Sequence, residues 1–557
     1  MKRLIYMIGC LLLATASYAQ TPSWAKKATQ AVFTLKTFDA NGQLLASSNG
    51  FFVSEKGEAV SSFAPFKGAQ RAIVIDAQDK EWDIESIIGV NDMYDVAKFQ
   101  VAIKKPAALP VSTAAADNGA TVWLLPYSVK KVPVCPKGTV EKTEQFQGSH
   151  TYYTLNMAYK DQNTNCPILN DNGEVIGMLQ PAAGDAGDVS YAVSARFASE
   201  LTMSGLSFND PTLRSTSIPK AIPDEKEQAL LALYVGSTAM DSLQYANFID
   251  RFIAKFPNLS DGYIYRARLS SSKGQYAEAD DDMKRAIKVA DSKDDAHYQY
   301  AQLITQKLLL KTDDYAPWTF DLALQEAKEA YRCNPMPVYK QQQAEILYSQ
   351  KKYDESFKLY QELTSGEMRT ADMFYAAAQC KLQQEDKEAA LAQMDSAVNM
   401  FTKPYLKTAA PYLLARAQML NDAGKYRQAV SDYNEYETLM KAQLAAGFYY
   451  MRQQAEVNGH LYQQALNDIN KAIEMAPNEP LYHMEKASLQ LRVGHTKEAE
   501  ETARECIRMA PDDSDGYLFL GVAQCVNKQK AEGLKNLQKA KELGNGQAQG
   551  LIDKYSK

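Results

Sequence analysis

The sequence predicts a chain of two parts, an all-β domain followed by an all-α solenoid of helical repeats. Its 557 residues are too many for a single hydrophobic core. Between about residues 28 and 205, short β-rich runs alternate with turn signals and no helical pattern intervenes. Beyond residue 226 the apolar residues take helical spacing, and small residues recur at intervals of 34 positions.

The N-terminus has the pattern of a secretory signal peptide. Lys2-Arg3 precede an apolar run from Leu4 to Ala16, and Ser17-Tyr18-Ala19 supply small residues for cleavage after Ala19. The run is shorter than the ~20 residues that a membrane span needs, and Cys10 lies inside it rather than after it, which disfavours lipidation. No later segment is apolar enough to span a bilayer. We therefore expect residues 1–19 to be removed and the protein to be exported, periplasmic or secreted from a bacterial cell.

Composition excludes some partners. The net charge of −6 and the absence of a basic stripe argue against nucleic acid and against a polybasic membrane patch. No Cys or His spacing indicates a metal, and no cofactor motif is present. Of the six cysteines after the signal peptide, Cys135 and Cys166 are the two in the β-rich half, so they are a candidate disulfide. Two unpaired, small apolar residues are an equal alternative.

The β-rich half is divided into strands by its turns. Asn41-Gly42, Lys56-Gly57 and Asn172-Gly173 predict tight hairpins, because glycine adopts positive φ freely. The strand candidates are AVFTLKTF, GQLLASSNGFFVS, EAVSSF, RAIVID, VAKFQVAI, TVWLLPY and TYYTLNM. The stretch after them contains proline and serine and lacks apolar periodicity, so residues 207–225 are predicted to be a linker.

The C-terminal repeat is defined by small residues and prolines. Ala465 and Ala499 are 34 positions apart, as are Pro477 and Pro511, and glycines such as Gly424 fall where one helix would turn into the next. This spacing resembles the tetratricopeptide (TPR) family. The resemblance covers residues 226–557 and implies about nine helix pairs, with units starting near 226, 260, 294, 337, 371, 410, 446, 480 and 514. A loop insertion is expected in the third unit.

The β-rich half resembles the trypsin-like serine peptidases of the HtrA type. SNGFFVSEKGEAVSSFAPFKGA (48–69) is similar to their G-S-G-F-x-V-S segment that ends in H-V-V-x-G-A, and YDVAKFQV is similar to their D-[IL]-A-x-L-x-V. QNTNCPILNDNGEVIGM (162–178) corresponds to their G-N-S-G-G-P-L-x-N-x-x-G-x-V-I-G. The resemblance spans about 28–205, within a domain assigned to residues 20–206. The predicted fold class is thus an all-β trypsin-like double β-barrel followed by an all-α TPR solenoid.

The resemblance breaks down at the positions that perform catalysis. The family's histidine is replaced by Ala64 and its serine by Thr164, so only Asp95 of the triad remains. The oxyanion glycine is Gln162, and the two glycines after the nucleophile are Asn165 and Cys166. We therefore expect no catalytic residues and a pseudo-peptidase. His150, the one histidine in this half, is expected to be an exposed loop residue.

The TPR resemblance implies protein or peptide ligands on a concave face. The Lys and Asn of the carboxylate clamp found in one peptide-binding subgroup are absent. Their positions hold Ile264, Arg268, Leu414, Gln418, Tyr450 and Gln454. FYYMRQQ (448–454) is rich in aromatic residues, which at helical spacing indicate packing first and ligand contact second.

Three functions stay open. The first is an exported, non-catalytic scaffold in which a pseudo-peptidase domain accompanies a TPR array that recruits proteins. The second is an active peptidase that uses Thr164 or Cys166, with the repeats selecting substrate. The third is an envelope assembly factor in which the repeats alone act and the barrel is a spacer.

Overall fold

The computed structural model describes residues 22–181, 187–311, 315–366 and 368–557. The chain divides after Asp291 into two compact units. The predicted signal peptide lies outside the described residues. No helix within these ranges is both long and apolar enough to cross a membrane.

The first unit begins with a closed barrel of six antiparallel strands. Adjacent strands follow the order β1-β2-β3-β6-β5-β4. Gly50 is required on β2, because a Cβ there would lie 2.5 Å from the carbonyl oxygen of Val60 and 2.6 Å from the ring of Phe33. The strands are β1 Val32–Phe38, β2 Leu44–Phe52, β3 Glu58–Ser61, β4 Arg71–Ile75, β5 Glu81–Asn91 and β6 Val96–Val101.

A second closed barrel of six strands follows, in the order β10-β11-β12-β9-β8-β7. All three predicted hairpin glycines have positive φ, which is +77° at Gly42, +91° at Gly57 and +80° at Gly173. The strands are β7 Thr121–Leu124, β8 Lys137–Phe146, β9 His150–Asn156, β10 Pro167–Leu169, β11 Val175–Leu179 and β12 Val189–Ser194. The predicted fold class, a double β-barrel followed by an all-α region, is confirmed.

Residues 207–225, for which the sequence predicts a linker, lie along the first barrel. Ser215 accepts a backbone hydrogen bond from Gly68 (2.7 Å), and Ile87 donates to Pro219 (2.8 Å) and accepts from Ala221 (2.7 Å). Leu213, Ile218 and Ile222 are buried within the hydrophobic core that contains the first barrel. The stretch lacks periodicity because its backbone is irregular, although a side chain is buried every few residues. A 3-10 helix, Gly205–Asn209, overlaps the start of the stretch, and a short helix, Pro211–Arg214, lies within it.

The helices after residue 226 follow one another as antiparallel hairpins. The first unit contains Lys226–Ala239 with Ser242–Lys255 and Ser260–Ser272 with Tyr276–Val289. The second contains Lys293–Leu310 with Phe320–Cys333, Pro337–Ser349 with Tyr353–Ser365, Ala371–Gln383 with Lys387–Val398, Ala410–Asp422 with Tyr426–Met440, Ala446–Asn458 with Tyr462–Met475, Pro480–Arg492 with Thr496–Met509, and Ser514–Val526 with Lys530–Glu542, then Ala548–Ser556. The first helix of each hairpin begins within one residue of a start given by the repeat spacing.

Small residues explain why the helices of a hairpin approach closely. Ala267 and Ala279 in the first unit, and Ala417 and Ala429 in the second, are fully buried. Glycine joins the helices where the chain must turn: φ is +76° at Gly274 and +71° at Gly424. A larger side chain at the alanines would push the helices apart, so the spacing of alanines in the sequence determines the hairpin geometry.

Candidate functional site: a peptidase-like cleft

The positions that the sequence resemblance assigns to a triad and its oxyanion site line one cleft. The cleft has a volume of about 560 Å³, and Ala64, Asp95, Gln162 and Thr164 all line it. The barrels bring together residues from distant parts of the sequence here. The full lining is Thr34, Ala46, Ser47, Ser48, Asn49, Ser62, Ala64, Pro65, Asp95, Asp161, Gln162, Thr164, Asn165 and Pro181.

Asp95 is engaged with backbone rather than with a base. Its Oδ1 accepts hydrogen bonds from the amides of Phe63 (3.0 Å) and Ala64 (2.7 Å). Asp95 itself has a φ of +48°, a conformation in which aspartate is one of the more tolerant residues. The carboxylate therefore fixes the start of the 3-10 turn Ala64–Phe66. Ala64 presents only a methyl group to the cleft, and a methyl group cannot accept a proton.

Four backbone amides of the loop that precedes β10 donate hydrogen bonds to carbonyl oxygens of the protein. Residues Asp161–Asn163 form a 3-10 helix. The amide of Asn163 donates to Lys160 (2.9 Å), that of Thr164 to Asp161 (3.1 Å), that of Asn165 to Leu179 (2.8 Å) and that of Cys166 to Asn163 (3.0 Å). Stabilisation of an oxyanion needs amides that point at the reacting oxygen. Each of these four amides already donates to a carbonyl oxygen of the protein.

Among the residues that the structure describes, the Thr164 hydroxyl has one side-chain partner, the hydroxyl of Tyr159. The two oxygens are 2.5 Å apart, and either can be the donor. Neither histidine nor lysine is among the described residues that line the cleft. Tyr159 could not be identified from the sequence, because it lies just before the segment 162–178 and matches no family motif.

His150 is not the exposed loop residue that the sequence predicts. It begins strand β9, and its side chain is only 14% exposed, with Nε2 3.6 Å from a carboxylate oxygen of Glu200. Its ring packs 5.2 Å from that of Phe197, between centroids. The prediction failed because Phe197 of the helix Ala195–Glu200 and Phe146 of β8 pack against the ring. His150 does not line the cleft.

Side-chain amides tie the loop to β2. Asn49 Nδ2 donates to the carbonyl oxygens of Gln162 (2.9 Å) and Thr164 (3.0 Å). Asn165 Nδ2 donates to the hydroxyls of Ser48 (2.6 Å) and Ser62 (2.8 Å). The polar run Ser47-Ser48-Asn49 just before Gly50 was the available sequence signal, since such residues are unusual on a strand that faces a core.

The candidate disulfide is not formed. Among the cysteines that the structure describes, Cys135 and Cys166 are both unpaired. Both lie in the core of the second barrel, where they act as small apolar groups, which is the alternative that the sequence left open. Burial raises the pKa of the Cys135 thiol to about 11 and that of Cys166 to about 12. Both thiols are therefore protonated at neutral pH, and neither supplies a thiolate nucleophile.

The described part of the chain holds no cluster of three His, Cys, Asp or Glu side chains with metal-binding geometry.

FYYMRQQ in the helical region is mainly buried. Phe448 and Tyr449 belong to a hydrophobic cluster, and Arg452 and Gln453 are buried beside them. Tyr450 and Gln454 are more exposed and bond to each other at 2.9 Å. The segment thus combines packing residues with a polar edge.

No protein-family model matches the chain, and no curated protein matches it. Among solved structures, it is similar to the Rv3671c protease from M. tuberculosis in its active form, with 17% identity and a TM-score of 0.28 over 32% of this chain and 82% of that one. For the inactive form of the Rv3671c protease the identity is 18% and the TM-score 0.26, over 32% of this chain and 89% of that one.

Proposed function

We propose that this protein is an exported, non-catalytic scaffold. In this proposal a pseudo-peptidase domain accompanies a TPR array that binds other proteins in the cell envelope. The observation that supports it most directly is the cleft at Ala64. A methyl group occupies the position of the base, and the neighbouring carboxylate of Asp95 bonds to the amides of Phe63 and Ala64 instead.

The chemistry of acyl transfer explains why a missing base at Ala64 argues against catalysis. A threonine hydroxyl attacks poorly unless a base removes its proton, and the tetrahedral intermediate needs donors for its oxygen. The partner of Thr164 is the hydroxyl of Tyr159, and the amide of Thr164 donates to the carbonyl oxygen of Asp161. Loss of the base and of an activated nucleophile removes nearly all of the rate enhancement of a triad, and the bonded amide of Thr164 leaves one donor fewer for the intermediate.

The helical hairpins support the second half of the proposal. Consecutive hairpins of this length stack into arrays whose faces bind peptides or folded partners. The half-buried Tyr450 and the exposed Gln454 offer apolar area together with hydrogen bonds, a combination common in protein interfaces.

Incubation of the full chain with unfolded casein tests the absence of catalysis. The matched control is Thr164→Ala, which removes the hydroxyl and leaves the loop's backbone bonds in place. We expect no cleavage by either protein. Cleavage that is lost in the alanine variant would defeat the proposal.

The contact between Tyr159 and Thr164 favours one alternative, an active peptidase with Thr164 as nucleophile. In that case Tyr159→Phe would lower the rate of casein cleavage as Thr164→Ala does, because it removes the partner of the hydroxyl. If cleavage occurs and neither variant affects it, the activity belongs to a contaminant.

The remaining alternative is an assembly factor that acts through the repeats alone. Ala64→Trp in the full chain separates it from the scaffold proposal, because a large ring would fill the cleft without touching the helices. Pull-downs from the native envelope with the wild type and this variant are compared. A partner retained equally by both binds through the repeats, whereas a partner lost in the variant needs the cleft.

A further inference from the structure

A second cavity lies in the first unit, far along the chain from the peptidase-like positions. The stretch of residues 214–220 covers one side of it and the helix Ser242–Lys255 the other, and it encloses about 370 Å³. This volume lies in the range of small-molecule sites. The lining consists of Phe208, Arg214, Thr216, Ser217, Ile218, Pro219, Lys220, Ala239, Met240, Gln244, Asn247, Phe248 and Arg251.

The charges in the cavity are all of one sign. Arg214, Lys220 and Arg251 line it, and no acidic residue does. None of the three has an ion-pair partner within the described ranges, although Glu85 interacts electrostatically with Arg251. A cation held in a partly buried site without a counter-ion is unfavourable, so a bound anion would be stabilising here.

Burial lowers the pKa of two of these cations. It lowers the pKa of Lys220 to about 8, and it also lowers the pKa of Arg251. Lys220 Nζ donates one hydrogen bond to the carbonyl oxygen of Thr216 at 2.7 Å, and Arg251 Nη1 donates one to that of Lys220 at 3.1 Å. Both groups have more N–H donors than these bonds use, and the remaining donors can bind a ligand.

One wall of the cavity is apolar. Phe208 and Phe248 pack edge to face with their centroids 5.1 Å apart, and Ile218 is buried with them. Met240 adds a flexible side chain to this wall. Gln244 and Asn247 are exposed and add polar side chains to the lining.

We propose that this cavity binds a small organic carboxylate, with the carboxylate at Lys220 and Arg251 and an apolar body against Phe208, Ile218 and Phe248. The ligand combines the two features that the cavity provides. A lone inorganic anion would leave the apolar wall unused, and a neutral hydrocarbon would leave the cations uncompensated. The site is separate from the peptidase-like cleft and does not depend on the function proposed above.

Isothermal titration of the full chain with three probes tests the proposal. Octanoate offers both the carboxylate and the apolar body, acetate only the anion, and 1-octanol only the body. We expect saturable binding of octanoate and at least about tenfold weaker binding of the other two, since a charge-assisted hydrogen bond or the burial of several methylenes is each worth that much. Equal binding of octanol, or no binding of octanoate at millimolar concentration, would overturn the proposal.

Variants of Lys220 test whether octanoate binds in this cavity. Lys220→Met removes the ammonium and retains an unbranched apolar side chain, and we expect it to weaken octanoate binding about tenfold or more. Lys226→Met is the matched control, because Lys226 is exposed and lies outside the cavity. Lys220→Arg keeps the charge and should retain binding, which distinguishes lost recognition from a folding defect. Equal weakening by the Lys226 and Lys220 methionine variants would place the ligand elsewhere and refute the assignment.

Discussion

Asn165 stands at a position where the resemblance to peptidases predicts a glycine. Its φ is +65°, and asparagine is one of the few residues with a side chain that adopt this conformation readily. The side-chain amide then gains two hydrogen bonds, to Ser48 and Ser62, that glycine could not make. The substitution thus keeps the backbone of the turn and fixes it to β2 and to the end of β3.

Asn165→Ala is expected to lower the free energy of unfolding by about 2–3 kcal/mol, because it adds strain at positive φ and removes two buried hydrogen bonds. Asn165→Gly removes the same hydrogen bonds without the strain, so it should lower the free energy of unfolding by less. Urea unfolding followed by tryptophan fluorescence measures both, since Trp24, Trp82 and Trp123 lie in the first unit. Equal losses in the two variants would contradict a contribution from backbone strain.

Glu456 is expected to make the stability of the second unit depend on pH. The side chain is buried, its Oε2 has no hydrogen-bond partner among the described atoms, and burial raises its pKa to about 8. Between the unfolded value near 4.5 and this folded value, the folded state binds a proton that the unfolded state has released. The contribution of Glu456 to stability is therefore present at low pH and is lost as the pH rises through 8.

Glu456→Gln removes this titration. As the pH increases from 5 to 9, the free energy of unfolding of the variant should rise relative to that of the wild type. The change should reach about 1 kcal/mol or more. Thermal unfolding followed by circular dichroism at 222 nm measures the difference across that range. A difference that stays constant with pH would show that Glu456 does not titrate in the folded protein.

The residues of the site differ in how far sequence could predict them. Ala64, Asp95, Gln162 and Thr164 follow from a gapless resemblance to peptidase segments, and the structure places all four in one cleft. The side chains that hold the loop could not be predicted in this way. Asn165 and Ser48 are 117 positions apart, and only the closure of the two barrels brings them together.

At the scale of elements, the 3-10 turn Asp161–Asn163 matters more than the identity of any one residue. It directs the amides of Asn163 and Thr164 to carbonyl oxygens one turn earlier. A triad side chain introduced into this cleft would therefore lack the amide of Thr164 as a donor to the intermediate. One such donor is worth a factor of about 10²–10³ in rate.

The double variant Ala64→His with Thr164→Ser is thus expected to remain without measurable cleavage of unfolded casein, although it restores two members of the triad beside Asp95. Wild type is the reference, and circular dichroism confirms folding of the variant. Cleavage that a serine-directed phosphonate inhibits would contradict the role assigned to the turn.

The helical hairpins contain a repeated ion pair that the spacing of small residues did not indicate. Arg266 pairs with Asp282, Arg416 with Asp432 and Arg452 with Asp468, in each case from the first helix of a hairpin to the second. The interval is 16 positions each time. Such pairs are visible in the sequence, but charged residues are so common on helix surfaces that only burial distinguishes these ones.

Arg452→Met should lower the free energy of unfolding by about 3–5 kcal/mol, because Asp468 would remain buried without its cation. Adding Asp468→Leu should recover part of the loss. Arg508→Met is the control, since Arg508 and its partner Glu505 are exposed, and its effect should stay within about 0.5 kcal/mol. Urea unfolding followed by circular dichroism measures all three. A loss from Arg452→Met no larger than that of the control would show that the buried pair is not stabilising.

At the scale of the whole molecule, sequence predicted the order of the parts better than their boundary. The change from strand to helix periodicity is visible near residue 226, and residues 207–225 have the composition of a linker. Packing cannot be read from composition, however. One core contains Phe33 and Ile87 of the first barrel, Ile218 of the segment after it, and Ala229 and Phe248 of the first helical hairpin.

A chain that ends at Asp210 should therefore be less stable than one that ends at Asp291, even though both contain the two barrels. The shorter chain loses Leu213, Ile218, Phe248 and Phe252 from the shared core and exposes the barrel residues beneath them. Each buried side chain of this size contributes about 1.5–3 kcal/mol, so the deficit should exceed about 3 kcal/mol.

Urea unfolding of the fragments 22–210 and 22–291, followed by tryptophan fluorescence, measures this deficit, with the full chain as reference. The longer fragment ends at the boundary between the two compact units and should unfold at nearly the same urea concentration as the first unit of the full chain. Aggregation of the shorter fragment would agree with exposure of the core. Identical midpoints for the two fragments would mean that the barrels form an independent domain and that residues 211–291 contribute nothing to its stability.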